Sequence, residues 1–214
     1  MMKKYILIFV FFLYKIGFSQ TYKFDAFVEI YHEVPQIKYK GSQTLLLNTS
    51  DESITAFSHS DLTFTVYDNK RNVGHSFLNM TTKDKYSFIY KKSFKLSSNE
   101  DKDKYDYEIK KIGDKKYEII EYKNHKRKII TFKIIVELEK SDINLLGAIS
   151  SDIGEKRRCK IKEILEKEIG NKEKFKITNQ LTFYRKDNII DHKTINSGPV
   201  NIQMILPAKL NFNN

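Results

Sequence analysis

The feature that most constrains the fold of this 214-residue chain is the stretch from Lys128 to Leu138, which reads KIITFKIIVEL. One face of it is formed by Ile130, Phe132, Ile134, Val136 and Leu138. Period-two alternation rich in β-branched and aromatic residues predicts a half-buried strand and not a helix. At about 3.3 Å per residue the stretch would span roughly 35 Å, and a strand that long must twist and coil. We therefore predict that its neighbours form a strongly curved sheet or barrel wall.

The same alternation recurs through most of the chain. Strands are predicted over 22–31, 43–47, 54–58, 62–67, 73–80, 86–96, 105–112, 117–122, 175–183, 189–195 and 200–206. Polar turns separate these segments, because Asn, Asp and Gly tolerate the backbone conformations that turns require. Gly74 predicts a bulge in its strand, and the tripeptide at 197–199 is interpreted as a break between the last two strands.

A different pattern follows Glu139. Asp152 and Glu155 have the spacing of a capping box for a helix over about 152–169. Its apolar stripe consists of Ile161, Ile164, Leu165 and Ile169. A stripe of this width is typical of a helix that lies on a sheet. The predicted fold class is therefore mainly β (α+β), with a long antiparallel, strongly curved sheet, a half-barrel or barrel, and one amphipathic helix packed on it.

The N-terminus predicts export. Lys3 and Lys4 precede an apolar run over 5–14, which is too short for a bilayer core of about 30 Å but suits a signal peptide. Small residues place the cleavage after Ser19, with cleavage after Gln20, an uncleaved anchor or a first cytosolic strand as alternatives. No later segment is apolar enough to span a membrane.

The predicted organisation is a signal peptide at 1–19 and a single β-rich domain at 20–214. The predicted location is the periplasm, the outer membrane surface or the medium. The single cysteine, Cys159, excludes an internal disulfide. It projects away from the apolar stripe of the helix, which predicts an exposed thiol.

The chain is basic, with 38 Lys and Arg against 27 Asp and Glu. We interpret most of this charge as solvated strand faces and edges that discourage sheet-to-sheet aggregation. Attraction to a lipid or another anionic envelope component is the alternative. The densest cluster of positive charge lies in a predicted hairpin turn and consists of Lys123, His125, Lys126, Arg127 and Lys128. Nucleic acid is not predicted as a partner, because no nucleic-acid-binding signature is present.

No local motif in the sequence predicts chemistry. The five histidines are His32, His59, His75, His125 and His192, and no two of them have metal-ligand spacing. Nucleotide-binding glycine loops, a nucleophile elbow and paired redox cysteines are also lacking. We therefore predict no catalytic, cofactor-binding or metal-binding residues and no cofactor. The tyrosines are interpreted as cross-strand pairs that stabilise the sheet, with a carbohydrate-stacking surface as the alternative.

Long alternating strands with one helix are similar in architecture to the half-barrel of the periplasmic lipoprotein-carrier proteins. The resemblance involves no motif, so it transfers no functional residues. The favoured hypothesis is a non-enzymatic carrier or binding module for an apolar or lipid-like ligand. A cell-envelope interaction protein that uses the basic surface is the alternative, and a hydrolase with a site built from distant residues is the second alternative.

Overall fold

A computed structural model of the chain describes residues 20–60, 62–82, 85–96, 104–149, 153–170, 173–184 and 188–212. Two sequence predictions lie outside these residues. They are the signal peptide at 1–19 and the contribution of Asp152 to the capping box.

The described residues contain eleven strands, which pair into one antiparallel sheet. Their bounds from β1 to β11 are Thr21–Val34, Tyr39–Leu47, Ile54–Ser60, Thr63–Asp68, Val73–Asn79, Phe88–Lys95, Asp106–Gly113, Lys116–Tyr122, Ile130–Lys140, Phe175–Tyr184 and Ile189–Ile205. Across the sheet the order is β6-β5-β4-β3-β2-β1-β11-β10-β9-β8-β7. The first and last strands are thus neighbours near the centre of the sheet. The chain runs outward from β1 to the edge strand β6, and then inward from the opposite edge strand β7 to β11, with a helix between β9 and β10.

One α-helix is present among the described residues, and this helix, α1, spans Glu155–Ile169. It ends before Gly170, whose φ of 85° is a left-handed conformation that glycine adopts without strain. Short 3-10 turns occur at Pro35–Ile37 and Leu146–Ala148. The prediction of a mainly β chain with a curved antiparallel sheet and one packed helix is confirmed. The sheet remains open, as a half-barrel.

The predicted break at 197–199 is wrong, because β11 continues through it. Gly198 pairs with Phe27 of β1, and Pro199 pairs with Ala26. The register between the two strands shifts next to this segment, but the pairing continues. Proline is tolerated in a strand next to such an irregularity, where the ladder does not need its missing N–H.

The bulge predicted at Gly74 is also absent. Gly74 pairs regularly with Tyr67 on one side and with Phe94 on the other. A Cβ atom at this position would lie 2.3 Å from the Phe94 Cζ atom. The glycine is therefore explained by the close approach of the Phe94 ring.

The central strands are buried on both faces of the sheet. In β2, Leu45 and Leu47 pack with Leu145, whereas Leu46 between them packs with Phe77. Adjacent residues of a strand point to opposite faces. We name the face of Leu45 the helix face, because α1 lies on it, and the face of Leu46 the lobe face.

The N-terminal lobe, which consists of β1 to β6 and the C-terminal part of β11, curls around its lobe face. Its cluster of buried residues comprises Tyr22, Phe24, Leu46, Ala56, Phe64, Val66, Phe77, Ile202, Met204 and Leu206. The segment after β11 reaches the edge strand β6. There the Ser93 N–H donates to the Asn211 carbonyl at 2.7 Å, and Ser93 forms an isolated bridge with Phe212. This contact brings the two ends of the lobe together.

The other half, β7 to β10, is covered by α1. Ile161 and Leu165 of the helix are fully buried. They pack into a cluster that includes Ile119, Phe132, Ile134, Val136, Leu138, Phe175 and Ile177. The predicted apolar stripe of α1 therefore faces the sheet, as its spacing indicates. Side chains fill the space between this stripe and β8 to β10.

A buried ion pair fixes the helix to the sheet. Glu121 of β8 is fully buried and accepts a hydrogen bond from the Arg157 Nε atom at 2.9 Å. The Tyr107 hydroxyl donates to the same carboxylate at 2.9 Å, and the Thr131 hydroxyl donates to its other oxygen. The Arg157 guanidinium also lies 4.3 Å from the centre of the Tyr105 ring. Both oxygens of the buried carboxylate are thus satisfied.

Candidate functional site

The best candidate for a binding site is a groove on the lobe face of the N-terminal lobe, with a volume of about 360 Å³. It is lined by Phe27, Glu29, Thr44, Leu46, Ser58, Ser60, Phe64, Asn79, Thr81, Tyr86, Phe88, Asn196, Val200 and Ile202. None of these residues belongs to α1, so the groove lies on the side of the sheet away from the helix. Small-molecule pockets have volumes of about 300–1,000 Å³. The groove is therefore large enough for one small ligand.

The strand register builds a polar rim along one side of the groove. Glu29 of β1 pairs with Asn196 of β11 and with Thr44 of β2, so these three side chains form one row across three strands. The Thr44 N–H donates to the Ser58 hydroxyl at 2.7 Å, which extends the row onto β3. The rim presents carboxylate, amide and hydroxyl groups to the groove.

The floor of the groove is apolar and aromatic. Two residues before Glu29, Phe27 pairs with Leu46 of β2. The rings of Phe64 and Phe88 meet edge to face, with their centres 5.5 Å apart. Rings in this arrangement provide a rigid apolar surface. The groove is therefore amphipathic, with its apolar floor directly beside the polar rim.

The electrostatics of the groove are set by Glu29. It is the only ionisable side chain in the lining apart from the Tyr86 phenol, and the lining contains no Lys, Arg or His. Across the described part of the chain, no hydrogen-bond donor or cation is paired with the Glu29 carboxylate. An ionised carboxylate is an acceptor only. The groove can therefore accept hydrogen bonds from an amine or hydroxyl group, and its field repels an anion.

A second polar group lies deeper in the lobe. The His75 Nδ1 atom is 2.8 Å from the Ser93 hydroxyl, which is itself 2.8 Å from the Tyr90 hydroxyl. Tyr90 also accepts a hydrogen bond from the Asn211 N–H at 2.9 Å. The His75 Nε2 atom is buried without a partner among the described atoms, and burial lowers the pKa of His75. Because Ser93 is fully buried, this chain of contacts holds the C-terminal segment and does not present a nucleophile.

A depression of about 440 Å³ lies on the helix face, between α1 and β2 to β4. Its buried cation, Arg158, is paired with Glu155 of the same helix and donates to the Gly147 carbonyl. Lys162, one turn further on, is paired with Glu52 and Glu166. These two cations are matched by carboxylates of the protein, and the remaining ionisable groups of the lining are Tyr67 and the exposed His59. The depression therefore offers no free carboxylate to a ligand.

The predicted basic patch lies in the turn between β8 and β9. Lys123, His125, Lys126, Arg127 and Lys128 are all exposed. The Arg127 Nε atom donates to Asp106 at 2.6 Å, and the pKa of Asp106 is lowered chiefly by this bond. Arg127 therefore fastens the turn to the edge strand β7. The other four side chains project into solvent, and their role as an anionic-surface patch stays a prediction.

The remaining reactive side chains do not form a site in the described structure. Cys159 is exposed, as predicted, but partial burial and the Glu155 carboxylate raise the pKa of its thiol to about 11. The thiol therefore stays protonated at neutral pH. Among the described residues, no group of three or more His, Cys, Asp or Glu side chains could hold a metal ion.

The chain matches no protein-family model, and no curated protein matches its sequence. Across the described ranges, no helix combines the length and the apolar composition that crossing a membrane requires. The groove residues were not identified from the sequence. Phe27 and Phe88 lay in predicted strands, but only the pairing of β1 with β2 and β11 shows that Glu29, Thr44 and Asn196 share a row.

Proposed function

We propose that the protein is a non-enzymatic binding module for a small amphipathic ligand, which the groove of the N-terminal lobe holds. The observation that supports this proposal is the juxtaposition of an aromatic floor with a polar rim that contains one unpaired carboxylate. Ligand sites are typically apolar concave surfaces in which a few polar groups fix the orientation. The apolar part of the ligand lies along Phe27, Phe64 and Phe88, and its polar head lies at Glu29.

The charge of the rim indicates which kind of head group the ligand carries. Glu29, Thr44, Ser58 and Asn196 offer acceptors and neutral donors but no cation. A fatty-acid carboxylate would lie close to Glu29, and like charges at such an interface cost several kcal/mol. The ligand is therefore a neutral or cationic amphiphile with hydroxyl or amine donors. With a groove of about 360 Å³, it carries one short apolar chain or ring system and not the two chains of a phospholipid.

The test compares decylamine, decanol and decanoate, which share one chain length and differ only in the head group. Calorimetry and thermal unfolding should show binding of the amine and the alcohol, and at least about tenfold weaker binding of decanoate, which corresponds to about 1.4 kcal/mol. Glu29→Gln should bring the affinities for the amine and the carboxylate together.

Blocking the groove provides the matched control. Asn196→Trp places a large ring on the rim and should abolish binding, whereas Ile195→Trp changes the adjacent residue, which is exposed and does not line the groove. Binding that survives Asn196→Trp, or a preference of the unmodified protein for decanoate, would contradict the proposal. Mass spectrometry of solvent extracts of the purified protein would identify a bound natural ligand.

The basic turn supports a second candidate function, attachment to an anionic envelope component. Lys123, Lys126 and Lys128 are exposed on one short turn, and clustered surface lysines attract polyanions in a salt-dependent manner. Changing all three to Gln should abolish a salt-sensitive pull-down of envelope polysaccharide and leave amphiphile binding unchanged.

A further inference from the structure

An exposed apolar surface lies beside the mouth of the groove. It consists of Leu62, Met80, Tyr86 and Ile89, which are 68%, 54%, 55% and 51% exposed, and we name it the apolar tip. Backbone contacts bring these residues to one end of the lobe: the Asn79 N–H donates to the Leu62 carbonyl, and the Met80 N–H donates to the Ser87 carbonyl, both at 2.8 Å. Tyr86 faces the groove, whereas strand alternation turns Ile89 to the opposite face from Phe88, so the apolar residues surround the strand ends on both faces. Clustered exposed apolar residues mark interaction surfaces, whereas isolated ones do not.

The charge around the apolar tip is positive. Between Met80 and Lys92 the sequence contains four lysines and one aspartate. Lys85, Lys91 and Lys92 are exposed next to the apolar residues. Aliphatic side chains at the ends of strands, with a tyrosine and lysines around them, match the layers of an anionic bilayer surface, where the apolar groups enter the acyl boundary and the lysines meet the headgroups.

We propose that the apolar tip docks the protein onto a lipid bilayer with anionic headgroups, with Leu62, Met80, Tyr86 and Ile89 inserted at the interface. Tyr86 lines the groove and also belongs to the apolar tip, so docking places the groove mouth at the lipid surface. The docking itself does not depend on the proposed function. The consequence that an amphiphile passes between the bilayer and the groove does rest on it.

The experiment is vesicle co-sedimentation of the full chain with phosphatidylcholine alone and with phosphatidylcholine and phosphatidylglycerol mixed. Binding should favour the mixed vesicles and weaken with salt. Met80→Glu with Ile89→Glu should lower the partition coefficient by about tenfold or more. Lys91→Gln with Lys92→Gln should lower the partition coefficient about fivefold for each lysine on the mixed vesicles, and should not change it on phosphatidylcholine alone. The matched control is Ile195→Glu with Ile205→Glu, two residues of similar exposure on β11, which should bind as the unmodified protein does.

The docking proposal would be overturned if the tip variant, Met80→Glu with Ile89→Glu, and the control variant lost vesicle binding equally, or if neither lost any. It would also be overturned if light scattering showed a concentration-dependent dimer that only the tip variant loses, because the occupant would then be a second copy of the chain. Met80 and Ile89 do not line the groove, so the tip variant should still bind decylamine in the absence of vesicles. That readout separates a failure of docking from a failure of the proposed function.

Discussion

The two halves of the sheet bury apolar residues in different ways. In the helix-covered half, α1 brings Ile161 and Leu165 onto β8 to β10, and the side chains fill the space between helix and sheet. In the N-terminal lobe, the sheet curls towards its own C-terminal segment and leaves a groove of about 360 Å³. A helix can approach a sheet until their side chains interdigitate. The curled lobe packs its own cluster of buried residues but leaves this groove open beside it.

Buried polar atoms without a hydrogen-bond partner occur in both halves among the described residues: His75 Nε2 lies in the lobe, and Asn179 Oδ1 and Asp191 Oδ1 lie on β10 and β11. The buried Glu121 carboxylate of the helix-covered half has an arginine and two hydroxyl groups as partners. In the lobe, the partly exposed Glu29 carboxylate faces the groove and has no partner among the described residues. The hydrogen bonds of Glu121 stabilise the packed half, whereas a partly exposed carboxylate is solvated and can accept hydrogen bonds from a ligand. The lobe is therefore distinguished by the groove with Glu29 on its rim, and not by the number of unpaired buried groups.

The comparison is tested most strongly by Glu121→Ala. The change leaves Arg157 without its buried partner, and breaking a buried pair from one side costs about 3–5 kcal/mol. Glu29→Gln in the lobe should change the free energy of unfolding by less than about 0.5 kcal/mol, because Glu29 has no partner to lose. Urea denaturation of both variants measures the difference. Similar losses in the two variants would remove the distinction between the halves.

A smaller effect is expected from cavity formation. Leu165→Ala should cost about 3 kcal/mol, because Leu165 is fully buried and the surrounding side chains cannot close the space. Val200→Ala widens a groove that already exists, and Val200 is only half-buried, so its cost should stay below about 1 kcal/mol. Thermal unfolding followed by circular dichroism compares the two. A large loss for Val200→Ala would indicate that the lobe is packed as tightly as the other half.

The closure of the lobe is tested by Ser93→Ala. This change removes the hydroxyl group between His75 and Tyr90 and leaves a second buried nitrogen of His75 unsatisfied, which costs about 1–3 kcal/mol. Hydrogen exchange at Asn211 and the neighbouring amides should speed up, and exchange in α1 should not change. Ser42→Ala at an exposed position of β2 is the control. Unchanged exchange at Asn211 would show that the backbone bridge alone closes the lobe.

The strands and the helix could be predicted because their signals are local. The alternation over 128–138 predicted β9, observed at Ile130–Lys140, and the stripe containing Ile161 and Leu165 predicted the buried side of α1. The break expected at 197–199 was wrong because pairing with β1 overrides the local preference of Gly198 and Pro199. Propensity describes a segment by itself, and the partner strand decides such cases.

The groove could not be predicted, for a related reason. Its rim joins Glu29 to Asn196, which are far apart in the sequence and become neighbours only through the register of β1 with β11. The tyrosines show the same limit. Tyr107 was interpreted as one of the sheet-stabilising cross-strand residues, and it does lie opposite Glu121 of β8, but the sequence does not show that this partner is a buried carboxylate that also binds Arg157. Burial, followed by the neighbouring Glu121 carboxylate, raises the pKa of Tyr107, so this hydroxyl remains a donor.

The smallest expected effect is a difference between the two halves in how their stability depends on pH. Burial lowers the pKa of His75 in the folded lobe, and the nearby Asp68 and Arg71 act on it in opposite directions. Below the unfolded pKa of about 6.5 the unfolded chain binds the proton more readily. Stability is therefore complete above that pH and falls as the pH decreases through it, by at most about 1.4 kcal/mol per pH unit for this one group. His75→Gln removes the titration and should flatten the dependence between pH 7.5 and pH 5.5, measured by urea denaturation. At pH 5.5 hydrogen exchange should speed up in β5 and β6 before it changes in β8 and β9, and the reverse order would assign the acid-sensitive group to the helix-covered half.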